Sequence, residues 1–334
     1  MPSLSRRTWA CATAVLACGP SRWLAAGAQP SSRPEGAFPS RPVRLVVPAP
    51  PGSAPDIRAR QLAQKLLEVW GQPVIVDNRA GATGNIAMEF AARAAPDGYT
   101  LILTGTQNLT ILPHLMRLPY DPARDFTMVT KVSAGPLILL AHPGVPFDSI
   151  AGLVEHARAN PGRLNAASLG NGALTYLAIL LLNRSAGIDI THIPYKGGTQ
   201  TTADLISGQV QLQFDFASVA EPHLKTGRLK ALALADDKRL AMLPELPTFA
   251  ELGYPEIRLT GWQGIAVPAG TPASAIAELN RAFVHALGSA EIREAILASG
   301  GEVGGDTPEQ FTAFVRAEHA RWGRLIADAG IRLE

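Results

Sequence analysis

The sequence predicts an α/β fold: two mostly parallel sheets flanked by helices, with a ligand cleft and a hinge between them. Three observations lead there. Short buried runs such as Leu45-Val46-Val47 and Val74-Ile75-Val76 alternate with segments of helical period. Each run stops at a turn of small or polar residues that opens the next helix, the pattern of successive parallel βα units. A strand-like stretch at 259–267 follows the second series of units and precedes further helices, so one module is inserted between two parts of the other. In such sheets ligands bind beyond the C-terminal ends of the strands.

The elements follow in order. The strand at 45–47 ends in Pro48-Ala49-Pro50-Pro51-Gly52-Ser53-Ala54-Pro55, which continues neither a strand nor a helix. Asp56 then opens a helix whose apolar residues Ile57, Ala63, Leu66, Leu67 and Trp70 recur every three or four positions. Free amides and the dipole at such a helix start attract anions. The turn has no Walker lysine and no G-x-G-x-x-G, so a small carboxylate fits better than a nucleotide phosphate. A turn at 78–85 leads to a helix at 86–94. The strand at 99–103 ends in Thr104-Gly105-Thr106.

The second series starts with a strand at 137–140 and a helix at 150–160. A strand at 164–167 runs into Ser168-Leu169-Gly170-Asn171-Gly172-Ala173 and a helix at 174–185 closed by Gly187. Strands at 190–193, 210–214 and 229–235 follow, with a helix at 201–207 and a turn and short helix at 244–251. After the crossing strand comes a helix at 273–288. A final helix carries Thr307 at its cap, Pro308 in its first turn and Gln310 at the reciprocal capping position.

The front of the chain reads as a targeting segment. Arg6-Arg7 is a basic region, an apolar stretch too short to span a bilayer follows, and Ala26-Gly27-Ala28 is a cleavage pattern. Ser5-Arg6-Arg7-Thr8-Trp9 resembles a twin-arginine start, leaving the export route open. The expected organisation is a signal peptide over 1–28, a flexible leader over 29–40, the first part of lobe 1 over 41–140, lobe 2 over 141–260, and the return of lobe 1 with C-terminal helices over 261–334. Both cysteines, Cys11 and Cys18, fall in the signal, so the mature chain has no disulfide, thiolate metal site or cysteine nucleophile. Cys18 ends a weak lipoprotein cleavage box. The signal holds three arginines and no acid, so its removal takes the formal charge from +2 to −1, with no basic excess for nucleic acid. Expected localisation is the periplasm.

The chain resembles the extracytoplasmic receptors of tripartite tricarboxylate transporters, the Bug family. The matching stretches include Pro42-Val43-Arg44-Leu45-Val46-Val47-Pro48, Asn78-Arg79-Ala80-Gly81, Ala95-Pro96-Asp97-Gly98-Tyr99, His192-Ile193-Pro194-Tyr195-Lys196-Gly197, Phe214-Asp215 and Pro268-Ala269-Gly270-Thr271-Pro272. Their order holds from about Phe38 to Ile331. The resemblance implies a two-lobed periplasmic binding protein of type II topology that closes on a di- or tricarboxylate, an amino acid or an aromatic acid. Its partners would be membrane transporter subunits, or a membrane sensor kinase. A monomer and the absence of any cofactor are expected.

Carried over position by position, the resemblance places the ligand at Pro50, Gly52, Ser53, Ala54 and Asp56, at Thr104 and Thr106, and at Ser168, Gly170, Asn171, Gly172 and Ala173. The family has a glycine run in the first loop, where Pro51 and Ser53 stiffen this chain and add a hydroxyl. Ala173 and Leu174 stand where the family has a hydroxyl, and Leu169 and Tyr176 replace more polar residues, which implies a less polar or aromatic acid in preference to citrate. Asp215 matches an aspartate that takes the ammonium group in amino-acid-binding members; it reads equally as a carboxylate capping amides at a strand end. Tyr195 lines the cleft or packs half-buried. Lys196 is a solvated charge or attracts anions.

An enzyme is not expected. There is no G-x-S-x-G and no H-E-x-x-H, the histidines are scattered, and Asp236-Asp237 reads as a turn. His319 is expected on the solvated side of the last helix.

Overall fold

A ten-stranded sheet in the order β2-β1-β3-β9-β4-β7-β5-β6 organises the molecule, with β10 and β8 also paired to β4. The structure, a computed structural model, describes residues 38–195 and 198–331. The proposed signal peptide, both cysteines, most of the leader and Lys196 lie outside the described residues. The chain runs β1 (Val43–Val47), α1 (Ala54–Trp70), β2 (Val74–Asn78), a 3-10 turn (Ala82–Gly84), α2 (Asn85–Ala92), β3 (Thr100–Gly105), a π-helical turn (Gln107–Ile111), α3 (Leu112–Leu115) and β4 (Phe126–Ala141). It continues α4 (Ile150–Ala159), β5 (Asn165–Ser168), α5 (Leu174–Ala186), β6 (Thr191–Pro194), α6 (Gly198–Ser207), β7 (Leu212–Phe216), α7 (Ala217–Lys225) and β8 (Lys230–Leu234). Then come β9 (Thr260–Pro268), α8 (Ala273–Leu287), α9 (Ala290–Ala298), β10 (Glu302–Val303) and α10 (Pro308–Asp328).

The fold is mixed α/β, with a strongly curled sheet flanked by helices. Each half has a parallel core, β2-β1-β3 and β6-β5-β7, from the βα units visible in the sequence. The strands that join the halves add antiparallel pairs. β4 is longer than the expected 137–140 because Thr127, Thr130, Lys131 and Ser133 hide its first part as a strand. Up to Pro136 its register is with β9; from Leu137 it pairs with β7, and from Ile138 with β8. Proline suits this change of partner because it has no N–H to give to a ladder. Leu137 N–H bonds to the Leu259 carbonyl, so the two crossings are tied together at the same level.

Strand parity sorts the core. Val43, Leu45, Val47, Leu101 and Leu103 face α1 and α8, whereas Val46 and Ile102 join α2 and Phe311 on the opposite face. In the second half Leu137, Leu139, Leu212 and Phe214 face α5, and Ile138, Leu140 and Ala167 face the other way. Burial of each such aliphatic side chain contributes about 1.5–3 kcal/mol.

Several helical expectations need correction. On α1 the buried residues are Asp56, Ala59, Leu62, Leu66 and Trp70, while Ile57 and Leu67 are exposed. α7 and α9 were not foreseen: Pro222 sits inside the first, and the second follows α8 after one short turn. The short helix expected at 244–251 is an irregular loop in which Glu251 accepts the Thr248 amide and pairs with Arg239. Phe38, placed in the leader, packs edge-on against Tyr99. The capping box on α10 is present: Gln310 N–H donates to Thr307 Oγ1, and Thr307 N–H donates to Gln310 Oε1.

α10 also reaches both halves. Its Phe311 and Val315 lie in the cluster of the first half, with Trp262, and its Trp322 and Ile326 lie in that of the second, with Leu137 and Leu174. Between them His319 is half-buried, not solvated as expected. Its ring lies 4.2 Å from that of His114 in α3, and His114 Nε2–H donates to the His319 carbonyl at 2.9 Å.

Two outcomes follow. A Cβ on Gly264 would lie 2.2 Å from Phe311 Cζ and 3.0 Å from the Thr130 carbonyl. Gly264→Ala is therefore expected to cost about 3 kcal/mol, read as a lower urea midpoint at unchanged slope. Burial, with the His114 ring adding to it and Asp121 opposing, lowers the pKa of His319 below 6.5. The folded state thus favours the neutral ring. Its stabilisation is full above pH 6.5 and is lost as the pH falls below that value. His319→Gln should flatten the fall in melting temperature between pH 7.5 and 5; an unchanged slope would refute this assignment.

Candidate functional site

The site is built from the loops beyond the parallel strands. In the first half three such loops are bonded together. Asn78 Nδ2 donates to the Ala49 carbonyl, and both Gln107 Nε2 and Asn108 Nδ2 donate to the Thr83 carbonyl at 3.0 Å. In the second half Tyr195 N–H donates to the Ser168 carbonyl, and Gln213 Nε2 reaches Thr201 and Asp215.

The two groups of loops meet on the β9 crossing. Thr106 Oγ1 accepts the Trp262 amide at 2.8 Å from the first half. The next residue back, Gly261, lies under the second half: a Cβ there would meet Phe216 at 2.6 Å and Leu174, the first residue of α5, at 3.2 Å. A backbone without side chain is what lets α5 approach.

In the first loop, Pro50, Gly52 and Ala54 are exposed. Ser53 takes the N-cap position but gives its hydrogen to the Pro50 carbonyl at 2.7 Å, so it is a fixed part of the turn. Asp56, carried over as a ligand residue, has its carboxylate engaged within the loop. It is buried, accepts the Gly52 amide at 2.8 Å, and is paired with Arg60 at 3.0 Å. The hydrogen bond from Arg60 holds its carboxyl below the usual range, with the Gly52 amide helping and burial opposing. Among the described residues the Ala54 and Asp56 amides make no hydrogen bond, as the first turn of a helix requires.

The two threonines are likewise engaged within the protein. Thr104 is buried with its hydroxyl against Met88 Sδ, and Thr106 is spent on the Trp262 backbone. Both hold the strand end in place. The turn read at 78–85 lies beside them, and its backbone strain is not visible in the sequence. Ala82 and Thr83 have φ of 45° and 57°, left-handed values that cost a non-glycine residue about 1–3 kcal/mol. The side-chain amides of Gln107 and Asn108 hold this strained loop. Nothing in Gly81-Ala82-Thr83-Gly84 signals that the two inner residues take the strain.

In the second half Ser168 is buried, accepts the Gly170 amide at 3.1 Å and lies 2.5 Å from His192 Nε2. The Gly170 carbonyl accepts the Ala173 amide. Asn171 is exposed on the loop, with Gly172 and Ala173 buried behind it. The hydroxyl absent from position 173 has a counterpart in Thr175, but that oxygen accepts the Leu169 amide at 3.0 Å and shapes the loop. The Leu174 and Thr175 amides are without a hydrogen bond among the described residues. Leu169 is exposed, and Tyr176 lies against His192.

Tyr195 is half-buried and donates its hydroxyl to Asp204 at 2.8 Å. Asp215 lies on the α6 and α7 side of β7. It accepts the Phe216 amide at 2.8 Å and Gln213 Nε2 at 2.6 Å. This is the capping arrangement, without a cation in hydrogen-bond reach among the described residues. Burial pushes its carboxyl up to about 6, the two hydrogen bonds opposing. Gln213 Oε1 is buried without a partner among the described residues. No group of three metal-binding side chains occurs among the described residues.

The arrangement offers neutral amide donors at two helix starts, one in each half, that of α5 lying against the backbone crossing at Gly261. The profile of the tripartite tricarboxylate transporter family receptor matches residues 58–331. The chain belongs to that family. Three solved structures are similar to the receptor. The Rpa4515 protein of R. palustris with adipate is 35% identical, with a TM-score of 0.83, and covers 89% of this chain and all of its own. The periplasmic binding protein BugD is 32% identical at a TM-score of 0.81, covering 89% and 100%. MatC of Rhodopseudomonas palustris with bound malate is 32% identical at a TM-score of 0.80, covering 86% and 100%. The family is one of solute-binding receptors, and the receptor is not an enzyme.

Asp215 gives this site a pH signature. Its folded-state pKa lies above the ordinary 3.8, so stability is full below that value and is lost as the pH rises towards about 6. The loss amounts to about 3 kcal/mol. Asp215→Asn keeps both hydrogen bonds if Gln213 turns its amide. The ligand-free variant should melt several degrees higher than the parent at pH 7.5, on the scale of about 2–4 °C per kcal/mol, and alike at pH 4. Equal melting at both values would refute the buried carboxylate.

Proposed function

We propose that the receptor captures a small carboxylate between the two halves of the sheet, by their closing about β4 and β9, and presents it to membrane transporter subunits in the periplasm. The observation that carries this reading is the pair of helix starts, α1 in the first half and α5 against Gly261 of the crossing, with amides left over from their own hydrogen bonding. A carboxylate has acceptor oxygens on both sides of its carbon and is suited to bridge such donors. The adipate and malate named with two relatives are carboxylates. In the first loop we assign the contacts to Pro50, Gly52 and Ala54, with Ser53 and Asp56 holding its shape. In the second we assign them to Gly170, Asn171, Gly172 and Ala173, with Ser168, Tyr195 and Asp215 behind them. Leu169, exposed beside this loop, favours an acid with an apolar body.

The test is a thermal-shift screen of residues 29–334, unfolded and refolded to strip any retained ligand. The panel holds adipate, malate, citrate, aromatic monocarboxylates, amino acids and neutral sugars. A ligand at a hundred times its dissociation constant adds about 2.7 kcal/mol, a shift of several degrees. The expected result is a shift from one class of carboxylate. Silence from every acid would sink the reading, and a tighter fit for citrate than for aromatic acids would remove the preference for an apolar body.

A further inference from the structure

His192 is a titratable group in contact with the proposed binding loop through Ser168. It stands on β6 opposite Ala166 of β5. Two groups face its ring. From β5, Ser168 Oγ lies 2.5 Å from Nε2; from the first turn of α5, the Tyr176 ring lies 4.5 Å away, centroid to centroid. No charged side chain among the described residues contributes to its titration. Burial alone lowers its pKa, so the ring is neutral at pH 7.5.

Ser168 Oγ accepts the Gly170 amide at 3.1 Å. When the ring carries its proton on Nδ1, the serine hydrogen goes to His192 Nε2, the nearer acceptor; in the other tautomer Nε2 donates and the serine hydrogen turns to the Gly170 carbonyl at 3.5 Å. The Gly170 carbonyl accepts the Ala173 amide, and Ala173 is the N-cap of α5. His192 is thus linked through Ser168 and Gly170 to the helix start that offers the Leu174 and Thr175 amides.

Resting on the carboxylate reading above, we propose that His192 is the positioning residue of this helix start and that its protonation tightens anion capture. A proton on Nε2 turns that atom into a donor to Ser168 Oγ. The serine hydrogen is displaced towards the Gly170 carbonyl or an incoming oxygen, and a positive charge is added beneath the loop. A bound anion favours the charged ring by the same free energy with which the charged ring favours the anion.

The experiment uses adipate as the probe. Its dissociation constant is measured by calorimetry from pH 8 to pH 5 for the parent and for His192→Gln, which keeps a hydrogen-bonding group but does not titrate. The protonation of adipate itself is common to both proteins and divides out of the ratio at each pH. The ratio should shift in favour of the parent by up to about tenfold as the pH falls, the change that one unit of pKa elevation by the ligand produces. A ratio independent of pH, with both proteins binding, overturns the role of His192 alone. Failure of the parent to bind adipate at any pH overturns the carboxylate reading and this one with it. If the variant does not fold, the imidazole resonances of the parent are titrated with and without adipate. A His192 pKa raised by adipate supports the proposal, and an unmoved one overturns it.

Discussion

The structure depends on one strand that belongs to both halves of the sheet. β4 gives its first part to β9 and its last five residues, Leu137 to Ala141, to β7. The exchange happens at Pro136, which has no amide hydrogen to hold either neighbour. Because the ladder is continuous through β4, the halves cannot come apart without breaking strand hydrogen bonds. A rotation of one against the other is absorbed most cheaply where those bonds are fewest, at Pro136 and the facing Thr260. α10 adds an apolar tie outside the sheet, with Phe311 in one cluster and Trp322 in the other. Such a closure therefore has to work against a packed helix as well as two strands, and this limits it to a rotation that keeps both of its ends buried.

The same crossing explains why the proposed site would be made of backbone. At Gly261 the chain passes so close to Phe216 and Leu174 that no side chain fits. The polar side chains nearby are used to hold the loops in register. Thr106 fixes Trp262, Asp56 fixes Gly52, and Thr175 fixes Leu169. A hydroxyl or carboxylate already bonded at 2.8–3.0 Å within the protein gains little by exchanging that bond for one to a ligand. The amides of a first helical turn have no such alternative within the chain.

This division also sets what the sequence makes legible. Strand parity, the turn residues, Gly187 at the end of α5 and the capping box of α10 act locally, through residues a few positions apart, and each is visible in the one-dimensional pattern. The first part of β4 is not, because its polar and apolar residues take their places from partners more than a hundred positions away. α7 is concealed by Pro222, which reads as a breaker although the helix accommodates it. At the site the loops are legible and the direction of their side chains is not. Ser53, Asp56, Thr104 and Thr106 have the composition of a ligand-binding set, yet Asp56, Thr104 and Thr106 are buried and the Ser53 hydroxyl is bonded within its own turn. His192 stands in a matching stretch, but its surroundings are not legible there, since its partners Ser168 and Tyr176 come from a neighbouring strand and the helix after it.

A site of neutral donors has an electrostatic consequence. A cation in the site would bind a carboxylate more strongly, but it would carry its own desolvation cost whenever the halves closed without ligand. Amides avoid that cost, and the charge of the anion would then be felt by the titratable group in contact with the loop. His192 stands on β6, level with Ala166 of β5 and against Tyr176 of α5, whereas Asp215 stands near the end of β7 on the α6 and α7 side. On the reading proposed above, an anion at the α5 start favours the protonated imidazole of His192, while Asp215, buried among its own hydrogen bonds, answers to the fold.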